Sequence, residues 1–420
     1  MERRQFLSAA ATLPVLPELL GQAAKTGSSS TPSYLIVLPD QLTWWMADPA
    51  LRGALELPAL DQLRAQGTNF ERCYATGPVC QASRLALRTG RWPHTHGKQF
   101  LVHPTPTVEE RMQSQGYRTL YVGKWHLSPD SEGQFVEPGN RPHWDHFVGH
   151  EFSHTASETY VDGDREARST FPWDSQAMTD HALRLMRASA ADDQPFFMQL
   201  NYLPPHQPYD KYPKWLDEYS VEDVALRPNV PKREKKAPQK YAHYMNLVRA
   251  VDLELGRVLK AVDELDQDVV VIFSSDHGDM LLSQGEHQKR RPWEESARVP
   301  LIVRGPGWEP GSLSHPVGLV DLPATLCGLG QGLDLREVRD SVYFEMARPA
   351  SSWLDGTWRA LTTADGWKLA ISEHGPRLLY DLGEDPYEMA NLAGSGNARE
   401  AELETRMREW ATATEDEFFA

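Results

Sequence analysis

The sequence predicts an α/β fold: a large, mostly parallel sheet sandwiched by helices, then a smaller C-terminal antiparallel-sheet domain and a terminal helix. Two patterns carry that expectation. Over residues 33–338, apolar runs of strand length alternate with helical periodicity, as in a parallel sheet covered on both faces. From residue 339 to 420 the texture changes to short strands separated by turns, then an acidic helical stretch at 398–412.

The elements follow in order. Residues 33–40, Ser-Tyr-Leu-Ile-Val-Leu-Pro-Asp, are mostly apolar and end in a carboxylate, which predicts a central strand. Residues 57–66 have helical spacing, stop at Gly67, and return as an extended segment over 68–74. A helix over 107–115, closed by Gly116, leads to a strand over 117–123, and a helix over 174–189 leads to a strand over 195–202. The longest helix is predicted at 241–265, and 269–276 is the clearest buried strand. The Gly-, Pro- and His-rich stretch 128–153 and the basic, proline-bearing 228–238 read as surface excursions of the kind that rim active sites. In the C-terminal part, 342–345, 358–363 and 367–371 are the predicted strands.

The chain has 420 residues, 40% hydrophobic and 24% charged, enough for a large core with a satellite domain. Its net charge of -16 argues against a nucleic-acid partner, although a local basic cluster can still hold a small anion. Cys73, Cys80 and Cys327 are too few and too odd in number for a disulfide framework. Residues 1–32 read as a twin-arginine export signal and linker. Arg3-Arg4 precedes a short apolar run over 7–20 that Pro14 and Pro17 interrupt, which places the protein in the periplasm or outside the cell. No later run has the length and apolarity of a membrane span, so stable membrane insertion is not expected.

The decisive stretch is Cys80-Gln-Ala-Ser-Arg84 with Thr89-Gly-Arg91 downstream. It resembles the signature of the type I sulfatases, in which Cys-x-Pro-Ser-Arg and Thr-Gly-Arg mark a cysteine oxidised to formylglycine. Ala82 stands where the family usually has proline, which leaves open which maturation enzyme acts. Alone, such a short match is more often a buried structural cysteine at a helix start. Further segments in family order outweigh that reading: Asp40-Gln41, Gly123-Lys-Trp-His126, Pro205-His-Gln-Pro-Tyr209, Asp276-His-Gly-Asp279 and Lys289 ahead of Glu294-Glu-Ser-Ala-Arg-Val-Pro300. The late Tyr380-Asp-Leu and Asp385-Pro-Tyr-Glu388 match a structural turn of the family.

The resemblance implies a site. Asp40, Gln41, Asp276 and His277, with the residue made from Cys80, would hold Ca2+, a hard cation suited to oxygen ligands. Lys124 and Lys289 would bind the sulfate, and Arg84 would orient the formylglycine hydroxyls. His126 would deprotonate that side chain and His206 would protonate the leaving oxygen. Trp44, Trp45, His150, Glu151, His287 and Arg291 are candidate substrate contacts, with packing under loops the equal alternative for the tryptophans. The implied activity is hydrolysis of a small or oligosaccharide sulfate ester, with a formylglycine-generating enzyme as maturation partner. Gln41, where the family often has a second aspartate, keeps open a phosphonate monoester or phosphodiester hydrolase of the same superfamily. An inactive sulfatase-like glycan-binding protein is the alternative of a different class.

Overall fold

The computed structural model describes residues 31–96, 106–128, 136–151, 159–163, 165–168, 174–212, 214–216, 218–350 and 356–420. The expected export signal lies outside the described residues, except for its last two.

In chain order the strands begin with β1 (Ser33–Asp40), β2 (Thr68–Phe70), β3 (Cys73–Tyr74), β4 (Arg118–Lys124) and β5 (His146–His150). There follow β6 (Thr159–Asp162), β7 (Arg165–Arg168), β8 (Phe196–Pro205), β9 (Val269–Ser274), β10 (Arg298–Val299), β11 (Leu301–Arg304), β12 (Gly311–Leu313) and β13 (Val317–Gly318). Ten of these form one sheet in the order β12-β2-β11-β9-β1-β8-β4-β5-β6-β7. Its centre, β9-β1-β8-β4-β5, is parallel, with Val37 level with Phe273 on one side and Leu200 on the other. Parallel pairing brings the carboxyl ends of these five strands to one edge, where a site can form between them.

Strand residues alternate between two packed faces. Leu35 and Val37 point to the side covered by α1 (Trp44–Ala47), α2 (Pro58–Gln66), α5 (Asp174–Ala191) and α6 (Ala237–Asp263). Ile36 and Leu38 point to the side covered by α3 (Cys80–Thr89), α4 (Val108–Ser114) and α8 (Asp321–Cys327). A capping box starts α4: Thr107 accepts from the Glu110 N–H while the Glu110 carboxylate accepts from the Thr107 N–H.

One expectation is corrected. Residues 128–153 are not wholly a surface excursion: His146–His150 is β5, a sheet strand with Phe147 and Val148 fully buried. Gly149 permits it, since a Cβ there would lie 2.2 Å from the Gly123 carbonyl oxygen. Residues 129–135 and 152–153 lie outside the described residues.

The C-terminal sheet is antiparallel, in the order β14 (Ser341–Ala350), β15 (Gly356–Thr363), β16 (Trp367–Ser372), β17 (Leu378–Asp381). Its fourth strand was hidden in sequence by the turn signature that follows it. The helix α9 (Ala398–Thr414) covers one face through Leu403, Met407 and Trp410. The other face packs on Tyr74, Met280 and Trp293, the last just ahead of α7 (Glu294–Ala297). Among the described residues, no helix is long and apolar enough to cross a membrane.

Candidate active site

The chemical groups stand at the ends of strands and at the start of a helix. Asp40 ends β1, Lys124 ends β4, His206 follows β8, and Asp276 and His277 lie just past β9. Cys80 is the first residue of α3, so its sulfur sits at the positive end of a helix dipole. All of these side chains are buried.

Cys80 Sγ is 2.9 Å from Lys289 Nζ, 3.2 Å from His277 Nε2, and 3.7 Å from both Lys124 Nζ and Asp40 Oδ1. His126 also hydrogen-bonds the Cys80 side chain. Burial alone would raise the thiol pKa, but Lys124, Lys289 and His277 outweigh it and hold the pKa well below the ordinary range. Residue 80 is thus surrounded by positive charge, as a bound oxyanion would be.

The Lys289 ammonium has three acceptors: Cys80 Sγ, Gln41 Oε1 at 3.0 Å and His206 Nε2 at 3.0 Å. His206 Nδ1 lies 2.8 Å from the Gln207 carbonyl, which fixes the proton on Nδ1 and leaves the Nε2 lone pair for Lys289. His126 is held with a left-handed φ of 56° by its N–H bond to the Glu151 carbonyl, 2.8 Å long. Burial lowers its pKa and keeps the imidazole neutral near pH 7, ready to accept a proton.

The ligand atoms of Asp40, Cys80, Asp276 and His277 all lie within 4.8 Å of one another. His277 Nδ1 lies 2.9 Å from the Gly278 carbonyl, so the Nε2 lone pair faces Asp40 Oδ1 at 3.6 Å and Asp276 Oδ1 at 3.7 Å. Two buried carboxylates and an oriented imidazole suit a divalent cation. Burial would lower the His277 pKa, yet Asp276 and its neighbours raise it, which reflects the same demand for positive charge. Asp40 would be pushed up by burial and Cys80, but Lys124, His206 and Lys289 hold it below the usual carboxylate range.

Two predicted residues take positions their expected roles did not describe. Arg84 donors reach Asp276 Oδ2 (3.0 Å), the Lys124 carbonyl (2.9 Å) and Asn201 Oδ1 (3.1 Å), so the guanidinium braces the carboxylates from behind. Gln41, with φ of 70°, meets the carboxylates through its N–H to Asp276 Oδ1 (3.1 Å). Its amide joins Lys289 to Asp279, the latter at 2.6 Å.

The candidate substrate contacts separate. Trp45 is buried against Tyr241 and Arg227, and Trp44 lies under the Arg298 guanidinium at 3.7 Å. His150 is buried on β5, while the buried Glu151 carboxylate accepts from Ser128 N–H and hydroxyl. Arg291 is paired with Glu286 at 2.8 Å. His287 is exposed and accepts from Lys240 at 3.1 Å. Sequence reasoning missed Asn201, Gln207 and Tyr209 as parts of this network. Asn201 had a signal, a polar side chain inside an otherwise apolar strand.

Residues 32–333 match the family model described as Sulfatase. An ulvan-active sulfatase from Formosa agariphila is 29% identical over 92% of this chain and 82% of its own length. A protein solved in complex with its substrate, D-glucosamine-2-N,6-O-disulfate, shares the fold with a TM-score of 0.76 and 20% identity, over 92% of this chain and 99% of its own. The phosphonate monoester hydrolase of Silicibacter pomeroyi shares it with a TM-score of 0.75 and 22% identity, over 93% of this chain and 97% of its own. With this match across the whole large sheet, the chain belongs to the sulfatase family.

Proposed function

We propose that the protein hydrolyses an organic sulfate ester to an alcohol and inorganic sulfate, with a nucleophile made from Cys80. The observation that carries this reading is the convergence of Lys289, Lys124 and His277 on the buried residue 80 beside two carboxylates. The substrate is a sulfated carbohydrate, a reading supported by the ulvan-active relative and by the sugar disulfate bound to a protein of the same fold. The enzyme acts after export through the segment that contains Arg3-Arg4.

Asp40, Asp276 and His277 would hold Ca2+, with Gln41 alongside. Bound there, the ion supplies positive charge that polarises a sulfate oxygen. Oxidised to formylglycine by a maturation enzyme and hydrated, residue 80 supplies one hydroxyl for attack on sulfur and another for release of sulfate. Lys124 and Lys289 offset the charge that grows on the sulfate oxygens, usually the largest contribution in such a site. Lys289 and His206 share a proton along their 3.0 Å contact and deliver it to the leaving oxygen. His126, neutral through burial, takes the proton from the remaining hydroxyl. Arg84 and Asn201 keep the two carboxylates and the end of β4 in register with residue 80.

A mass spectrum of the peptide containing residue 80, from protein of the native host after thiol alkylation, is the first test. An aldehyde at residue 80 is expected. An alkylatable Cys80 would redirect the reading to a sulfated-glycan-binding protein. Matched aryl sulfate and aryl phosphonate substrates then discriminate the two ester classes, and faster phosphonate turnover would assign the chain to the hydrolases that Gln41 brings into view.

A further inference from the structure

The stretch 228–240 is a sequence feature that the hydrolytic site does not use. It carries Lys232, Arg233, Lys235, Lys236 and Lys240 against Glu234, in a chain of net charge -16. Lys232, Arg233, Lys235 and Lys236 are exposed. The stretch is fastened to the loop that carries Lys289. Gln284 N–H donates to the Asn229 carbonyl at 2.8 Å, and Lys240 Nζ donates to His287 Nδ1 at 3.1 Å. His287, Gln288 and Arg290 around Lys289 are exposed as well.

Lys240, at the end of this stretch, lines a cavity of about 240 Å³ together with Gln207, Tyr209, Asp279, Leu281, His287 and Gln288. It shares a wall with the reaction centre, because Gln207 follows His206 and accepts from Gln41 Nε2 at 2.8 Å. Its open hydrogen-bonding groups are donors. Asp279, the one carboxylate in the lining, already accepts from the Leu281 N–H, the Gln41 amide and the Tyr209 hydroxyl. Donors remain at the mouth: Lys240 has two N–H groups beyond the one given to His287, and that bond leaves the His287 proton on Nε2.

We infer that this cavity and the basic rim beyond it form a subsite for further acidic groups of the substrate. The substrate is then a polyanionic carbohydrate that carries its scissile sulfate among other sulfates or carboxylates. The inference takes residue 80 as the hydrolytic centre proposed above. It gives a use to the exposed cations of the segment bonded to the loop that carries Lys289, since long-range attraction raises the local concentration of a polyanion. Such binding is salt-sensitive, because each phosphate-like or sulfate-like contact releases counterions.

The test is fluorescence anisotropy with fluorescein-labelled dextran sulfate, with uncharged labelled dextran as control. The wild-type protein should bind the sulfated polymer alone. The triple variant Lys235→Gln/Lys236→Gln/Lys240→Gln should weaken binding about tenfold or more and flatten the dependence of log Kd on log salt. Removing the same charge elsewhere, by Arg184→Gln/Arg187→Gln/Lys260→Gln on the exposed faces of α5 and α6, should leave binding and the melting temperature near wild type. Equal losses in the two triple variants, no loss in the rim variant, or no binding by the wild type would each overturn the subsite. Turnover of 4-nitrophenyl sulfate and the mass of residue 80, measured on the same wild-type preparation, report on the hydrolytic reading separately. Absent turnover with an unmodified Cys80, together with rim-dependent binding, would refute that reading and leave the polyanion subsite standing.

Discussion

Gly123→Ala tests whether the junction of β4 and β8 positions the cationic end of the site. A Cβ at residue 123 would lie 1.9 Å from the Asn201 carbonyl oxygen, where real contacts do not fall below 3.0 Å, so the strands must part by at least about 1.1 Å. The φ of 104° adds a second cost, since side-chain-bearing residues rarely adopt it. Backbone strain contributes about 1–3 kcal/mol and overpacking about 1–3 kcal/mol, which gives a destabilisation of roughly 4 kcal/mol. The same displacement moves Lys124, whose carbonyl binds Arg84 at 2.9 Å, and Asn201, whose side chain binds Arg84 at 3.1 Å. A shift of about 1 Å in such groups costs about 10²-fold in rate. Urea unfolding followed by circular dichroism reads the stability, and kcat and KM on 4-nitrophenyl sulfate read the site. A variant within about 0.5 kcal/mol of wild type with undiminished kcat would refute the idea that this close approach sets the position of Lys124.

Three further predictions follow from buried charge. Lys368→Met leaves Glu294 and Glu388 without the ammonium they share at 2.6 and 2.8 Å, and should cost about 3–5 kcal/mol in urea unfolding at pH 7. The deficit should shrink in acid, where Glu294 takes up a proton, since Glu388, pushed up to about 8 by burial, already holds one near pH 7; a pH-independent loss would refute the charge argument. His94 places Nδ1 2.9 Å from Glu345 and Nε2 2.9 Å from the Thr414 carbonyl, with Asp416 at 3.6 Å and Arg359 paired to both carboxylates. Burial would lower its pKa, but Glu345 and Asp416 raise it, so its stabilisation is complete below about pH 6.5, the ordinary histidine value, and is lost as pH rises through the higher folded value. Melting curves from acid to alkaline pH should therefore decline across that window in wild type and flatten in His94→Gln. Chelation should lower both the melting temperature and turnover, with recovery on adding Ca2+, because Asp40 and Asp276 would otherwise face each other at close range. Unchanged melting and activity would remove the cation from the site.

The legible parts of the fold were those in which local and global signals agreed. The strand β1 was read to its last residue because a mostly apolar run ends in a carboxylate, and α4 because its helical spacing is closed by Gly116. β5 was not legible. His146-Phe-Val-Gly-His150 is short, polar at both ends and contains glycine, so only its neighbours β4 and β6 make it a strand. The motifs named residues that the structure brings together, but not their hydrogen-bond partners. Nothing local to Arg84 says that its guanidinium will meet Asp276 and Asn201, 192 and 117 positions away.

That arrangement explains the choice of cations. The carboxylates must be held apart and in plane, a task for the rigid, multi-donor guanidinium of Arg84, which binds Asp276, Asn201 and the end of β4 at once. Of the two ammoniums that reach residue 80, Lys124 is ion-paired with Asp40, and the one left to follow charge as it moves is the compact ammonium of Lys289. Its three acceptors are a sulfur, an amide oxygen and an imidazole nitrogen, none of them a carboxylate. An ammonium held by neutral amide and imidazole acceptors keeps its full charge available to an incoming anion, whereas one locked to a carboxylate does not. The same logic runs outward to the rim, where Lys240 rests on a neutral imidazole rather than an acid. In both places the protein holds positive charge without neutralising it, which is the electrostatic requirement for drawing an anionic ester into the site of an acidic protein.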